Sequence, residues 1–521
     1  MIRIIKMDFH KNLWTVVCFT IAFSFPALAI NVFKADDYFS TQQYELAKKE
    51  YSKAAGVGSP HAYYQLGTMY YKGLGTKADK LQAMIWFALA AEYQFNDAEK
   101  IVKDMLKGLP NEDQAYFNEL VLVFRETFGK QTINQQYFPI IVTENLPQKI
   151  TFGGEGKLEN NYQDPEMMFE SFSQNFSAND ATPLDFQEGS DAFGLNDGLS
   201  TYDREPTDNP AVLLSRRPEV DFTRRPYFLI VDHDVATDGS VRNISRVQNI
   251  GYPRSGLELI ERSTLAPPTF EGTRVEFFNR SYLGTATYSG FQMKAENERL
   301  YDRIRRLAKK LRKSTTTADK YQYAMALLAF TWLPQEVDEA ENILKKLALS
   351  GHPKAQFEYG FKLYREQKDI KEAIHWLSEA SKYGMSKAEY VLGSILHKSP
   401  WVINDEKKAL FWYESAIEKG HVGATLKAIE LKLLAVDETL HDVPKAIELL
   451  AKIEETEIKE ENPEYYFLLA ISHKNRKNRN FSQVVKYMKT AIDEADSRNW
   501  DVTYWEGLLE AWTTGTVQII D

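Results

Sequence analysis

The sequence predicts a mainly α fold: an α-solenoid of stacked helix pairs with one small α+β domain inserted. Three observations carry this. A spaced pattern of small and aromatic residues recurs, with Ala373 to Ala409, Trp376 to Trp412 and Gly384 to Gly420 each 36 apart. Near residue 226 the pattern changes to period two, with a strand starting at Phe228. The chain has 521 residues, too many for one core, so about three folding units are expected.

Hydrophobic residues make up 44% and charged residues 26%, which excludes wholesale disorder and a polytopic membrane protein. The single cysteine, Cys18, excludes a disulfide scaffold and a cysteine-based zinc site. A net charge of −10 argues against a nucleic-acid partner.

Residues 1–29 read as a cleavable signal peptide. Arg3, Lys6 and Lys11 precede an apolar stretch from Leu13 to Phe25. Pro26 ends it, and Ala27-Leu28-Ala29 provides the small pair that signal peptidase requires, with cleavage expected after Ala29. The apolar stretch is shorter than the roughly 20 residues a spanning helix needs. A periplasmic or secreted protein is expected, anchored in the inner membrane if the leader is retained. No later segment has spanning length, so no integral membrane segment follows signal removal.

The best repeat block contains Ala62, Leu66-Gly67, Tyr70, Gly73-x-Gly75, Asp79, Ala83, Trp86 and Ala90-Ala91. A second contains Ala355, Tyr359-Gly360, Tyr364, Ala373, Trp376, Ala380 and Gly384. A third contains Ala388, Leu392-Gly393, Ala409, Trp412, Ala416 and Gly420. Weaker copies begin near Ala424 and Tyr465. Small residues on the first helix allow close approach, and the three tryptophans are expected as core rings. Gly384 and Gly420 stand where a helix end favours a left-handed residue. In one copy Ser399 to Glu406 replaces the glycine turn. These residues resemble Sel1-like repeats, relatives of the tetratricopeptide repeat. Residues 35–56 look like the second half of an incomplete first repeat. The resemblance implies stacked hairpins that act as a protein-binding scaffold rather than an enzyme.

From Gly153 to Ser215 there are thirteen acidic and two basic residues, a net of −11. This segment reads as a disordered, self-repelling linker. Phe169, Phe172, Phe176, Phe186 and Phe193 within it could dock on a groove in cis or on a partner.

The middle domain reads as a strand from Phe228, an Asp238-Gly239 turn, a returning strand through Val241, Ile244 and Val247, a helix over 254–263, and a strand over Val275–Phe278. Val231, Val235, Asp238-Gly239, Val241, Ile244, Leu257, Ile260, Ser263, Leu265, Pro267, Gly272 and Val275 together resemble the C-terminal domain of TonB-type energy transducers. His233 departs from that pattern, and the Pro-rich spacer of those transducers is missing. The resemblance implies a TonB-C-like α+β fold that offers a strand edge to a partner's extended segment. Asp232-His233-Asp234 is the most metal-like cluster, but strand alternation sends His233 to the face opposite the two carboxylates.

Residues 294–313 form a basic amphipathic helix, nine Lys or Arg against three acids, with Leu300, Ile304, Leu307 and Leu311 on one face. It reads as the first helix of the second solenoid, or as a face that attracts the acidic linker or an anionic surface. Gly153 to Lys157 is not a phosphate loop, since Leu158 stands where Ser or Thr must bind magnesium. Trp500, Trp505 and Trp512 suggest a capping helix, and Thr516–Ile520 a short strand.

The expected organisation is a signal peptide over 1–29, a Sel1-like segment over 30–130, a strand-containing then acidic linker over 131–215, the TonB-C-like domain over 216–290 and a helical repeat solenoid over 291–521. No catalytic residue, cofactor or metal site is expected. The expected function is a periplasmic scaffold in a cell-envelope complex, binding proteins through its solenoid groove or strand edge. A divergent or accessory TonB-like transducer contacting an outer-membrane receptor, and an unrecognised enzyme, are the alternatives.

Overall fold

The computed structural model describes residues 30–153, 227–251, 253–454, 462–476 and 479–514. The leader, the acidic segment beyond Gly153 and the strand expected at Thr516–Ile520 lie outside the described residues.

The first helices are α1 (Val32–Ser40), α2 (Tyr44–Ala55), α3 (Pro60–Lys72), α4 (Lys80–Ala91), α5 (Ala98–Leu106), α6 (Asn111–Phe128) and α7 (Lys130–Tyr137). The strand region follows: β1 (Thr151–Phe152), β2 (Phe228–Val235), β3 (Val241–Ile250), α8 (Arg254–Glu261), β4 (Pro268–Phe270), β5 (Thr273–Arg274) and β6 (Phe277–Gly284). Helices then resume as α9 (Gly290–Glu296), α10 (Glu298–Lys313), α11 (Thr317–Ala329), α12 (Glu339–Leu349), α13 (Pro353–Arg365), α14 (Ile370–Ser381) and α15 (Ser386–Lys398). The last are α16 (Glu406–Ile417), α17 (Val422–Leu434), α18 (Val443–Glu454), α19 (Pro463–Asn475), α20 (Phe481–Ser497) and α21 (Thr503–Thr513). The fold is mainly α, built of helix pairs, with a small sheet region.

The chain divides into two compact units. One joins the residues up to Ile141 with Leu377–His397 and Val402–Ala428. The other joins Val142–Trp376, Lys398–Trp401 and the residues from Ile429 on.

In the first unit, α1 and α2 make a complete helix pair, where the sequence suggested only half a repeat. Their turn has no glycine. Gln42 takes a positive φ of 62° instead, so nothing in the sequence marked it. Ile30 and Val32 are buried, and the Val32 N–H donates to the Tyr383 carbonyl at 3.1 Å. Gly384, at φ +80°, lies directly beneath, and a Cβ there would sit 1.9 Å from the Ile30 carbonyl oxygen. Gly420 has nearly the same φ, +78°, but open space around it. Gly420→Ala is therefore expected to cost about 1–2 kcal/mol from the left-handed backbone alone. Gly384→Ala should cost about 1–3 kcal/mol more because the backbone of residue 30 must move. Hydrogen exchange at the helices flanking each site checks this, and equal losses would contradict the docking of Ile30.

In the second unit, β2 is the centre of an antiparallel sheet ordered β3-β2-β6. Leu229 and Val231 face Ile260 of α8, whereas Phe228 and Ile230 face Ile304 of α10 and Phe330 beyond α11. Both faces of the strand are covered, which is why Phe228–Val231 is a continuous apolar run. The third strand runs over Phe277–Gly284 rather than Val275–Phe278. Its polar residues Arg280 and Ser281 disguised it, yet both are buried. Residues 268–274 instead form a separate hairpin, with Glu271 and Gly272 both at positive φ in its turn. That hairpin and β1 make a second sheet ordered β1-β4-β5.

Farther on, α19 and α20 form the pair anticipated near Tyr465. Trp505 of α21 stacks on Phe467 at 4.9 Å, as a capping helix would.

Candidate functional site

Each repeat face begins at a helix start. Ser59 caps α3 by accepting from the Ala62 N–H at 3.3 Å, with Pro60 in the first turn. His352 and His421 do the same for their helices, each Nδ1 accepting an N–H at 3.2 Å, from Ala355 and Ala424. His352 and His421 are thus helix caps. His61 differs, pairing its Nε2 with Asp36 at 2.7 Å.

A capping Nδ1 must be unprotonated. Burial, helped by the charge of Lys387, lowers the His421 pKa from 6.5 to about 4. Burial also lowers His233 to about 4, and His352 is lowered by burial and by Lys354. The folded protein therefore holds fewer protons than the unfolded chain between pH 6.5 and 4, and stability falls as pH drops through that window. Replacing His421 by Asn keeps a cap acceptor and removes the proton site. His421→Asn should change stability by less than about 1 kcal/mol at pH 7.5 and recover about 1–3 kcal/mol near pH 4. Urea unfolding at both pH values measures this, and an unchanged acid sensitivity would refute it.

Within a pair, the small residue of the first helix receives a ring from the second. A Cβ on Gly67 would lie 2.9 Å from the Phe87 ring, and one on Gly393 would lie 2.8 Å from the Tyr413 ring. The ring in each gap is the neighbour of the tryptophan rather than the tryptophan itself. Trp86 instead meets Phe124 and Phe128, and Trp412 meets Phe138. All three repeat tryptophans are buried. The repeat signature is thus consumed by packing, and the outer face of α3 carries the half-exposed Tyr71.

Two features were not legible in the sequence. Trp401, in the segment that replaces a glycine turn, is fully buried among Phe277 and Tyr364 and donates to the Gln148 carbonyl at 3.1 Å. Lys382 is also buried, between the Tyr93 and Phe138 rings and paired with Glu379 at 2.5 Å. An extra Trp in a repeat turn was the one available signal.

The Asp232-His233-Asp234 triplet splits as alternation requires. Arg280 binds both Asp232 oxygens, at 2.6 and 2.9 Å, and reaches Glu358 of α13 at 3.0 Å. Burial alone would lower the Arg280 pKa, but Asp232 and Glu358 overcome it and hold the guanidinium well above its usual value. His233 pairs its Nε2 with the Ser281 hydroxyl at 2.8 Å. Asp234 accepts from the Asn243 amide at 2.8 Å. No group of three or more His, Cys, Asp or Glu among the described residues could hold a metal ion.

The sheet edges are β3 and β6. Consecutive Phe277 and Phe278 face opposite sides of β6, yet both rings lie near Tyr364, at 5.6 and 6.0 Å, so α13 runs beside that strand. The β2–β3 ladder has two register shifts, and Asn243 takes φ +50°. Such irregularities blunt an edge against added strands.

The basic stretch breaks at Asn297, and α10 buries Ile304 and Leu311 of the expected face together with Ala308, while Leu300 and Leu307 are half-buried. Its outer side forms a cleft of about 420 Å³ with α11 and the turn after it. Arg305, Arg306, Lys309 and Arg312, with one carboxylate, Asp302, line the exposed rim, and Leu327 and Leu333 lie beneath. Arg312 reaches Glu339 at 3.7 Å, and Arg305 lies over the Tyr301 ring at 5.5 Å.

The Sel1 repeat profile matches residues 60–92, 353–384 and 386–421. These segments are Sel1 repeats. They include the Gly67–Phe87 and Gly393–Tyr413 contacts described above. No curated protein matches the chain. Among solved structures, the chain is similar to a protective antigen present in uropathogenic Escherichia coli strains that displays an SLR fold. Identity there is 16%, over 89% of this chain and 68% of that one, with a TM-score of 0.32. A Sel1 repeat protein from Oxalobacter formigenes is similar at 20% identity, over 44% of this chain and 68% of that one, with a TM-score of 0.28. No helix among the described residues is long and apolar enough to cross a membrane.

Proposed function

We propose that the protein is an exported, non-catalytic scaffold that holds protein partners on the outer faces of its Sel1 repeats. The observation that carries this is the presence of three Sel1 repeats whose signature residues are spent on packing their helix pairs, leaving the outer faces for recognition. An exposed tyrosine such as Tyr71 on α3 suits that use, since its ring gives large contact area and its hydroxyl a polar handle. The repeat faces are the better surface than the sheet. One sheet edge runs beside α13 and the other is irregular.

Export rests on residues 1–29. The burial of Ile30 and the Val32–Tyr383 hydrogen bond support a mature chain that keeps Ile30, because both contacts survive cleavage after Ala29. The hairpin–helix–strand order of β2, β3, α8 and β6 supports a narrower likeness to TonB-type C-terminal domains.

The test places a photo-reactive residue at position 71 of the full chain in living cells. Specific cross-links to an envelope protein, together with a mature N-terminus at Ile30, are the expected result. Cross-links confined to cytoplasmic proteins would overturn the exported scaffold, and a retained leader would make it an anchored one.

A further inference from the structure

We propose that the basic cleft between α10 and α11 is the docking site, within the same molecule, of the acidic segment Glu155–Asp208. The chemistry of the two matches. Helix α10 carries eight basic and two acidic residues, a net of +6, with Arg305, Arg306 and Lys309 exposed on the rim. The segment carries thirteen acidic and two basic residues, a net of −11, with five phenylalanines among them. The cleft is not merely charged. Leu327 and Leu333 give it an apolar floor, and about 420 Å³ accommodates aromatic side chains. Acidic residues interleaved with phenylalanine fit a basic rim over an apolar floor.

Attachment supplies the concentration. The segment joins β1 to β2, and both strands belong to the second unit, as the cleft does. Phe228, the first residue of β2, packs on Phe330 at 4.8 Å and shares a core cluster with Ala308 and Leu333, which line the cleft. The chain therefore re-enters the fold beside the cleft, at Phe228, 20 residues after Asp208. Screening limits attraction between exposed charges to about 8 Å at physiological salt, so a free acidic chain is drawn in weakly. A tethered one is present at an effective concentration on the order of millimolar. An anionic lipid surface is disfavoured as the occupant, because it would have to approach past a segment carrying −11 in the same chain. Docking there would keep the segment from the repeat faces, and it is independent of what those faces bind.

The experiment is zero-length carbodiimide cross-linking of the full chain, mapped by mass spectrometry. Lys309, Lys310 and Lys313 should couple to carboxylates within 155–208 in the monomer. The yield should fall at least about fivefold in 0.5 M NaCl and in the double variant Arg305→Glu, Arg306→Glu. The Lys368–Glu341 pair, 3.0 Å apart, serves as the control for folding and should still couple in the variant at low salt. Absence of the cross-links, or a yield indifferent to the variant, would overturn the proposal. Cross-links confined to covalent dimers would assign the cleft to a second copy. Pelleting with phosphatidylglycerol vesicles that depends on Arg305 and Arg306, without these cross-links, would assign it to a lipid surface.

Discussion

Arg280→Met should destabilise the second unit by about 3–5 kcal/mol, because it leaves buried carboxylates without their cation. The Arg280 side chain is only 3% exposed, and it is the donor that joins Asp232 of β2 to Glu358 of α13. Methionine matches its length but not its charge. Hydrogen exchange of the β2 and β6 amides reads the loss locally, which matters in a chain of two compact units. Adding Glu358→Gln to Arg280→Met removes one of the stranded charges and should recover part of the loss. If the single variant exchanges like the native protein, the ion pair is not buried as described.

Trp412→Ala should cost the first unit about 3–5 kcal/mol. The ring is fully buried, packs on Phe138 at 5.4 Å, and its Nε1 donates to the Tyr137 carbonyl at 2.7 Å. Removing it frees the C-terminal end of α7, so protease cleavage near Phe138 should appear before any cut in α3 or α4. Trp412→Phe keeps the apolar packing and loses the hydrogen bond, at a cost of about 1–2 kcal/mol. Protection near Phe138 that survives Trp412→Ala would show that the ring does not hold that segment.

The repeats were legible because small residues, rings and glycine turns recur at fixed spacing, and the structure puts each to the packing use that spacing implies. Gly384 and Gly420 both take the left-handed backbone that their position called for. The strand β2 was legible as a run, since both of its faces are buried. What was hidden lay in pairings between distant residues. Arg280 looks like a surface residue until Asp232 and Glu358 stand beside it. The Gln42 turn used no turn residue, so residues 35–56 were read as only the second half of a repeat. Of the candidate site, the basic face of α10 was visible from its charge and period. The cleft was not, because its floor comes from Leu327 and Leu333, which periodicity alone cannot place against Ala308.

The hydrogen bond from Val32 to Tyr383 fixes an order of events in synthesis. The strip beginning at Ile30 is made early, but the surface that receives it is made about 350 residues later, roughly 20–70 s afterwards at ordinary ribosomal speed. Until then it lacks the cover that Tyr383 and Gly384 provide. Unit one therefore cannot close before the residues from Leu377 to Ala428 have been made, and whatever accompanies the nascent polypeptide must shield that beginning until they arrive.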